Sequence, residues 1–81
     1  MRVTYDPEAD ILYLRLRDVT IDESEEVAPN LVLDLDVAGR TVGIEVGAAS
    51  KQVEGNPLAL SLELLRPKVD EKTQVEAQAA E

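Results

Sequence analysis

The chain has 81 residues, with 17 acidic and 8 basic side chains, a formal net charge of −9, and neither cysteine nor histidine. These absences exclude disulfides, Cys/His zinc sites and nucleophile–histidine pairs within the chain. The acidic balance, with no run of basic residues, argues against binding to nucleic acid or anionic membranes and favours a basic protein partner. A chain this short buries a small core, so self-association is expected to add buried area.

No basic-then-apolar leader opens the sequence, and no apolar run is long enough to span a bilayer. We therefore expect a soluble cytoplasmic protein. Nothing in the composition indicates a resident cofactor.

The first predicted element is a β-hairpin. Residues 3–5 form a short strand, Pro7 suits the second position of a type I turn, and residues 11–17 alternate apolar and polar side chains. A four-residue loop between the two strands places the apolar side chains on one face. The predicted cross-strand pairs are Tyr5–Leu12 and Val3–Leu14.

A second hairpin follows a polar connection. Residues 18–30 are acidic and are predicted to be a connection with a short extended piece around 25–27. Residues 31–36 and 41–46 then alternate again, with a turn at Gly39. The predicted pairs are Leu35–Val42 and Leu33–Ile44. The two hairpins together predict an antiparallel four-stranded β-meander with one apolar face.

The apolar face needs a cover, and residues 55–65 are the candidate. Asn56 and Pro57 are typical of a helix N-terminus, and the leucines allow a helical face. The leucines from 58 to 64 also alternate, so a fifth strand is the alternative. The predicted fold class is therefore α+β, with a C-terminal helix packed on the sheet. We expect residues 1–66 to form one domain and residues 67–81 to form an acidic disordered tail.

Three acids in the first turn raise the question of a metal or catalytic site. Asp6, Glu8 and Asp10 occupy alternate positions, but the glycine and distal glutamate of a calcium loop are missing. Aspartates in turns commonly accept backbone N–H bonds. We interpret Asp6 and Asp10 as turn residues.

The outward face of the sheet holds a second set of carboxylates. If the second and third predicted strands are neighbours, Asp34, Asp36 and Glu45 lie close enough to bind a divalent cation. Arg15 and Arg17 would then lie beside the aspartates and compete with a cation, which favours a cross-strand charge ladder. A divalent-metal-binding module or metal-dependent hydrolase is the alternative function.

Apolar side chains also point outward. Ile11, Tyr13 and Val32 are either scattered exposed residues or an interaction patch, and the two interpretations weigh about equally. The acidic run at residues 22–26 is typical of a solvated loop, with docking to a basic partner as the alternative.

Three blocks of the sequence resemble one family. "YDPEADILYLRL", "ESEEV" and "LDLDVAGRTVGIEVGAAS" occur in the order found in the small bacterial proteins grouped as domain of unknown function 2283. Gly47 departs from the larger apolar residue usual at its position. The family-motif positions are Tyr5, Asp6, Asp10, Tyr13, Gly43, Glu45 and Ser50.

The resemblance implies a fold family without a defined activity, and some relatives look like companions of small toxin-like proteins. Together with the acidic charge, it predicts a non-catalytic protein-interaction domain. We expect it to self-associate and to act as an antitoxin-like neutraliser of a small basic protein.

Overall fold

The computed structural model describes residues 1–66, which form one antiparallel sheet and a short helix. The predicted disordered tail at residues 67–81 lies outside the described residues. In chain order the elements are β1 (Arg2–Asp6), β2 (Ile11–Arg15), β3 (Glu23–Ala28), β4 (Leu31–Leu35), β5 (Thr41–Val46) and α1 (Ala49–Gln52).

The sheet is antiparallel as predicted, but its strand order is β1-β2-β5-β4-β3, which is not the order of a meander. β5 lies between β2 and β4, and the connection of residues 16–22 crosses from β2 to the far edge. The physical reason lies in β5, which contains the buried pair Val42 and Gly43 and a single charged residue, Glu45. Val42 and Gly43 are the buried strand residues of the described chain, and a strand bordered on both sides is the position in which residues are most easily buried.

The first hairpin has the predicted register. Val3 pairs with Leu14 and Tyr5 with Leu12. Alternation along the two strands places these four side chains on one face. This register is favoured because a slip of one residue would move the apolar side chains of one strand to the opposite face.

A fifth strand forms where a connection was predicted. β3 pairs with β4, and its register shifts between Glu26 and Ala28, which leaves Val27 as a bulge. All six residues of β3 are exposed. Their acidic composition gave no alternating pattern, so the sequence indicated only a short extended piece there. Five strands match the number in the alternative fold prediction, although the added strand is β3 and not residues 58–65.

A second bulge lies in the β4–β5 hairpin. Leu33 pairs with Ile44 as predicted, but Leu35 pairs with Thr41 and not with Val42. The carbonyl of Val42 instead accepts N–H bonds from Leu16 and from the residue after it. Val42 is fully buried, so its side chain lies in the core beside the bulge.

The predicted C-terminal helix is absent, because residues 53–66 carry neither helix nor strand. The Asn56 side chain and carbonyl accept the N–H groups of Leu58 and Ala59, which makes a single turn instead of a helix start. Short helices gain most of their stability from packing an apolar face, and the leucines of this segment are left exposed. Its leucines are 48–90 % exposed: Leu58, Leu60, Leu62, Leu64 and Leu65.

The apolar face of the sheet is only partly covered. Val42 and Ala49 are the fully buried apolar residues of the described chain. The remaining inward side chains are half-buried; they include Leu12, Leu14, Leu31, Leu33, Ile44 and Val46. Within residues 1–66, no helix is long and apolar enough to cross a membrane.

Candidate functional site

Asp10 joins the first hairpin to the residues that follow β5. Its carboxylate accepts the Ser50 hydroxyl at 2.7 Å and the Ser50 N–H at 3.0 Å, and its carbonyl accepts the Ala49 N–H at 2.9 Å. The Tyr5 hydroxyl donates to the same carboxylate at 2.7 Å. Asp10 has a positive φ of 57°, a conformation that aspartate tolerates better than most residues. These contacts hold α1 against the hairpin.

The two aspartates of the first turn therefore have different roles. Asp6 accepts the N–H groups of Glu8 and Ala9, as expected of a turn residue. Asp10 ends the turn but also binds Ser50, forty positions further along the chain. Sequence reasoning assigned Asp10 to the turn and missed this bond, although both residues belong to the family motif.

The hydrogen bonds at Asp10 shift two pKa values. Donation from Ser50, and then from Tyr5, lowers the pKa of the Asp10 carboxyl below its usual 3.8. The same bond to Asp10 raises the pKa of the Tyr5 hydroxyl above 10.0. Both shifts favour the charged carboxylate beside a neutral phenol, which is a stable structural arrangement with no poised proton donor.

A second network crosses the outward face of the sheet. The Tyr13 side chain lies over Gly43 of β5, and its hydroxyl donates to Asp34 of β4 at 2.7 Å. A Cβ atom at Gly43 would overlap the Tyr13 hydroxyl. Burial, and then the bond to Asp34, raises the pKa of the Tyr13 hydroxyl. Asp34 also accepts the Ser24 hydroxyl at 2.6 Å, so side chains of three strands are joined.

The register places the outward apolar candidates on one face. Tyr13 and Val32 occupy the same row of the sheet on either side of Glu45, and Ile11 lies two residues from Tyr13 along β2. All three are half-buried. The Tyr13 hydroxyl is already bound to Asp34, so this side chain holds the sheet together whether or not it also contacts a partner.

The three candidate metal ligands do not form a group. Asp34 lies diagonal to Glu45 on neighbouring strands, but Asp36 lies in the β4–β5 turn. In residues 1–66, no three acidic side chains are arranged to hold a metal ion. The Asp34 and Asp36 carboxylates already accept bonds from protein donors, which a cation would have to displace.

The predicted charge ladder forms only in part. Arg17 and Asp36 make an ion pair of 2.7 Å, and Asp36 also accepts the N–H groups of Ala38 and Arg40. The bonds from Arg17 and then from the Arg40 N–H lower the pKa of the Asp36 carboxyl. Arg15 and Asp34 lie in one row of the sheet on either side of Gly43, but β5 separates their strands and they form no ion pair within residues 1–66.

Three arginines meet at one corner, although the sequence contains no basic run. Arg2, Arg15 and Arg17 line a shallow cavity of about 200 Å³ at the start of β1 and the end of β2. Arg15 donates to two backbone carbonyls and lies 3.9 Å from the exposed Asp18. The fold thus concentrates positive charge that is dispersed along the chain.

Acid is expected to destabilise the domain through Asp10 and Asp36. Both carboxyl pKa values are lowered in the folded chain from their usual value of 3.8. The stability that these groups contribute is therefore fully present at pH values above this usual pKa. It is lost as the pH falls through the lowered folded values. We expect melting temperatures, measured by circular dichroism, to fall as the pH drops below about 4.

Asp36→Asn is the control for this pH dependence, because the amide oxygen keeps an acceptor for the turn but does not titrate. Its melting temperature should be lower at neutral pH and should change less on acidification. Equal pH dependence in the variant and the natural chain would show that Asp36 does not contribute.

Comparison with known proteins identifies the family. A family model described as "Protein of unknown function (DUF2283)" matches residues 2–50, more than half of the chain. No curated protein and no solved structure matches. The match runs from β1 to Ser50, which is the residue that binds Asp10. It therefore includes both hydrogen-bond networks, and the chain belongs to the DUF2283 family.

Proposed function

We propose that this domain is a non-catalytic protein-interaction module. The observation that carries the proposal is the open apolar face of the sheet. Its central residues, such as Leu33 and Ile44, are half-buried, and only Val42 and Ala49 are fully buried among residues 1–66. Exposed apolar surface of this kind marks protein-binding sites in soluble proteins.

The leucine-rich segment at residues 58–65 adds to this surface. Five leucines that are 48–90 % exposed are costly to leave in water, at about 25 cal/mol per Å² of apolar area. Covering either the segment or the sheet face with a partner would therefore be favourable. These leucines predict a helix packed on the sheet, and because they are exposed we infer that they favour association with a partner.

The charge distribution favours a basic partner. Asp22 and the three glutamates of β3 lie on an exposed edge of a chain whose formal charge is −9. Such a surface attracts positively charged proteins and repels copies of itself at the same edge. The finer proposal is that the partner is a small basic protein whose activity the domain neutralises, as an antitoxin does. We expect self-association to use a part of the surface other than the acidic β3 edge.

The experiment is capture of partners by the tagged, full-length chain from its own cells, followed by mass spectrometry and light scattering. We expect a small basic protein retained in a fixed stoichiometry. Leu33→Asp in the sheet face, or Leu62→Asp in the exposed segment, should abolish retention. Val37→Asp is the matched control, because Val37 is 88 % exposed in the β4–β5 turn and belongs neither to a strand nor to residues 58–65.

The Leu62 variant protects the test against unfolding. Leu62 lies outside the sheet and is 64 % exposed, so its substitution opens no core. Circular dichroism should show a folded sheet for each variant. Retention that is unchanged in both folded leucine variants would contradict binding through the apolar surface.

A further inference from the structure

The two edges of the sheet differ in whether they can accept another strand. β3 is exposed and acidic, with Glu23, Glu25 and Glu26 and a bulge after them. Charge and bulges are the features that protect edges from pairing. β1, the other edge, has no bulge in its register and carries opposite charges at its two ends, Arg2 and Asp6.

The charges of β1 have no counterpart within the described chain. Arg2 lies directly opposite Arg15 of β2, and like charges in this position are unfavourable. Neither Arg2 nor Asp6 forms an ion pair with any other residue of 1–66. Asp6 uses one carboxylate oxygen for the turn, which leaves the other oxygen for a cation.

We propose that two copies of the chain pair antiparallel along β1, about a two-fold axis at Thr4. This register sets Arg2 of each copy opposite Asp6 of the other, so the dimer gains two ion pairs. On the apolar face it sets Val3 opposite Tyr5 of the second copy. Pairing in parallel would instead oppose Arg2 to Arg2, so the charges select the antiparallel arrangement.

The pairing would produce one continuous sheet of ten strands. A two-fold axis perpendicular to the sheet keeps both apolar faces on the same side, and the contact is closed because each edge satisfies the other. The acidic β3 edges then lie at the two outer ends, away from each other. This inference deepens the proposed function by naming a second copy as one partner, and it leaves the apolar faces free for another.

Cysteine cross-linking tests the register directly, because the chain contains no cysteine. In Thr4→Cys the two thiols face each other at the axis, with Cα atoms about 4.5–5.5 Å apart, inside the range that a disulfide requires. Glu26→Cys is the matched control, since Glu26 lies in the same row of the sheet on the opposite edge. It also removes a negative charge, which can only ease pairing there.

Under mild oxidation at low protein concentration we expect most of Thr4→Cys, and little of Glu26→Cys, to run as a dimer on non-reducing gels. Equal cross-linking of the two variants would overturn the pairing. If light scattering shows that the natural chain is oligomeric while Thr4→Cys stays uncross-linked, association uses another surface. The β1 pairing then fails and the proposed function stands.

A charge variant gives a second, independent readout. Arg2→Glu removes the charge repulsion between Arg2 and Arg15, so the monomer should stay folded. In the dimer it places a glutamate opposite Asp6 of the other copy, and the two carboxylates repel each other. We expect its dimer dissociation constant to rise at least tenfold. Arg40→Glu, at an exposed turn residue, makes the same change in net charge and should have little effect. Equal weakening by both variants would also overturn the pairing.

Discussion

Replacing Gly43 with alanine is expected to lower the free energy of unfolding by about 1–3 kcal/mol. The new Cβ overlaps the Tyr13 hydroxyl, and the neighbouring backbone of a central strand cannot move aside easily. The ring must therefore leave its position over β5 and lose its bond to Asp34. Urea denaturation followed by circular dichroism would measure the loss.

The matched control is Gly39→Ala. Gly39 has a φ of +79° and open space around its Cβ position, so alanine there meets a backbone cost of about 1 kcal/mol and no side chain. In a double-mutant cycle, Gly43→Ala should cost much less when Tyr13 is already alanine, because the ring it displaces is gone. Additive effects of the two substitutions would show that the contact between Tyr13 and Gly43 is not the cause.

Replacing Asp10 with alanine is expected to lower the melting temperature by roughly 5–10 °C. The variant loses the acceptor for Tyr5 and for both donors of Ser50, and it places alanine at a positive φ. The expected local result is release of α1 from the hairpin. Thermal melting and hydrogen exchange of the Ala49 and Ser50 amides would measure both effects.

Two further variants separate the loss of the hydrogen bonds from the backbone strain at residue 10. Asp10→Asn keeps a side chain that suits the positive φ and an acceptor oxygen, so it should lose less than alanine. Ser50→Ala removes the hydroxyl donor alone and should add little to Asp10→Ala, because both break the same contact. Full protection of the Ser50 amide in Asp10→Ala would contradict a role for Asp10 in holding α1.

The local elements of the fold could be predicted because each depends on neighbours in the chain. Alternation in residues 11–17, 31–36 and 41–46 identified three strands and their apolar faces, and the first turn set the register of Tyr5 with Leu12. β3 could not be found in this way. Its first four residues are charged or polar on both faces and show no alternation, and β3 becomes recognisable as a strand through its pairing with β4.

The candidate site was less accessible to such reasoning. The motif positions pointed to Tyr5, Asp10 and Ser50, but neither their composition nor their spacing indicates that they bind one another. The predicted helix at residues 55–65 failed for a related reason. A helix start and apolar residues are local properties, whereas a stable helix needs a surface to pack on.

The sequence by itself determined the hairpins, the apolar face, the acidic charge and the turn role of Asp6. Only the tertiary structure decided that β5 lies between β2 and β4, and this choice placed Tyr13 over Gly43 and within reach of Asp34. Side-chain alternation is a property of one strand, and it specifies which face a residue joins. Strand order depends on which arrangement of all the strands buries the most apolar area and places the charges most favourably. That information is spread over the whole chain and is not present in any single segment.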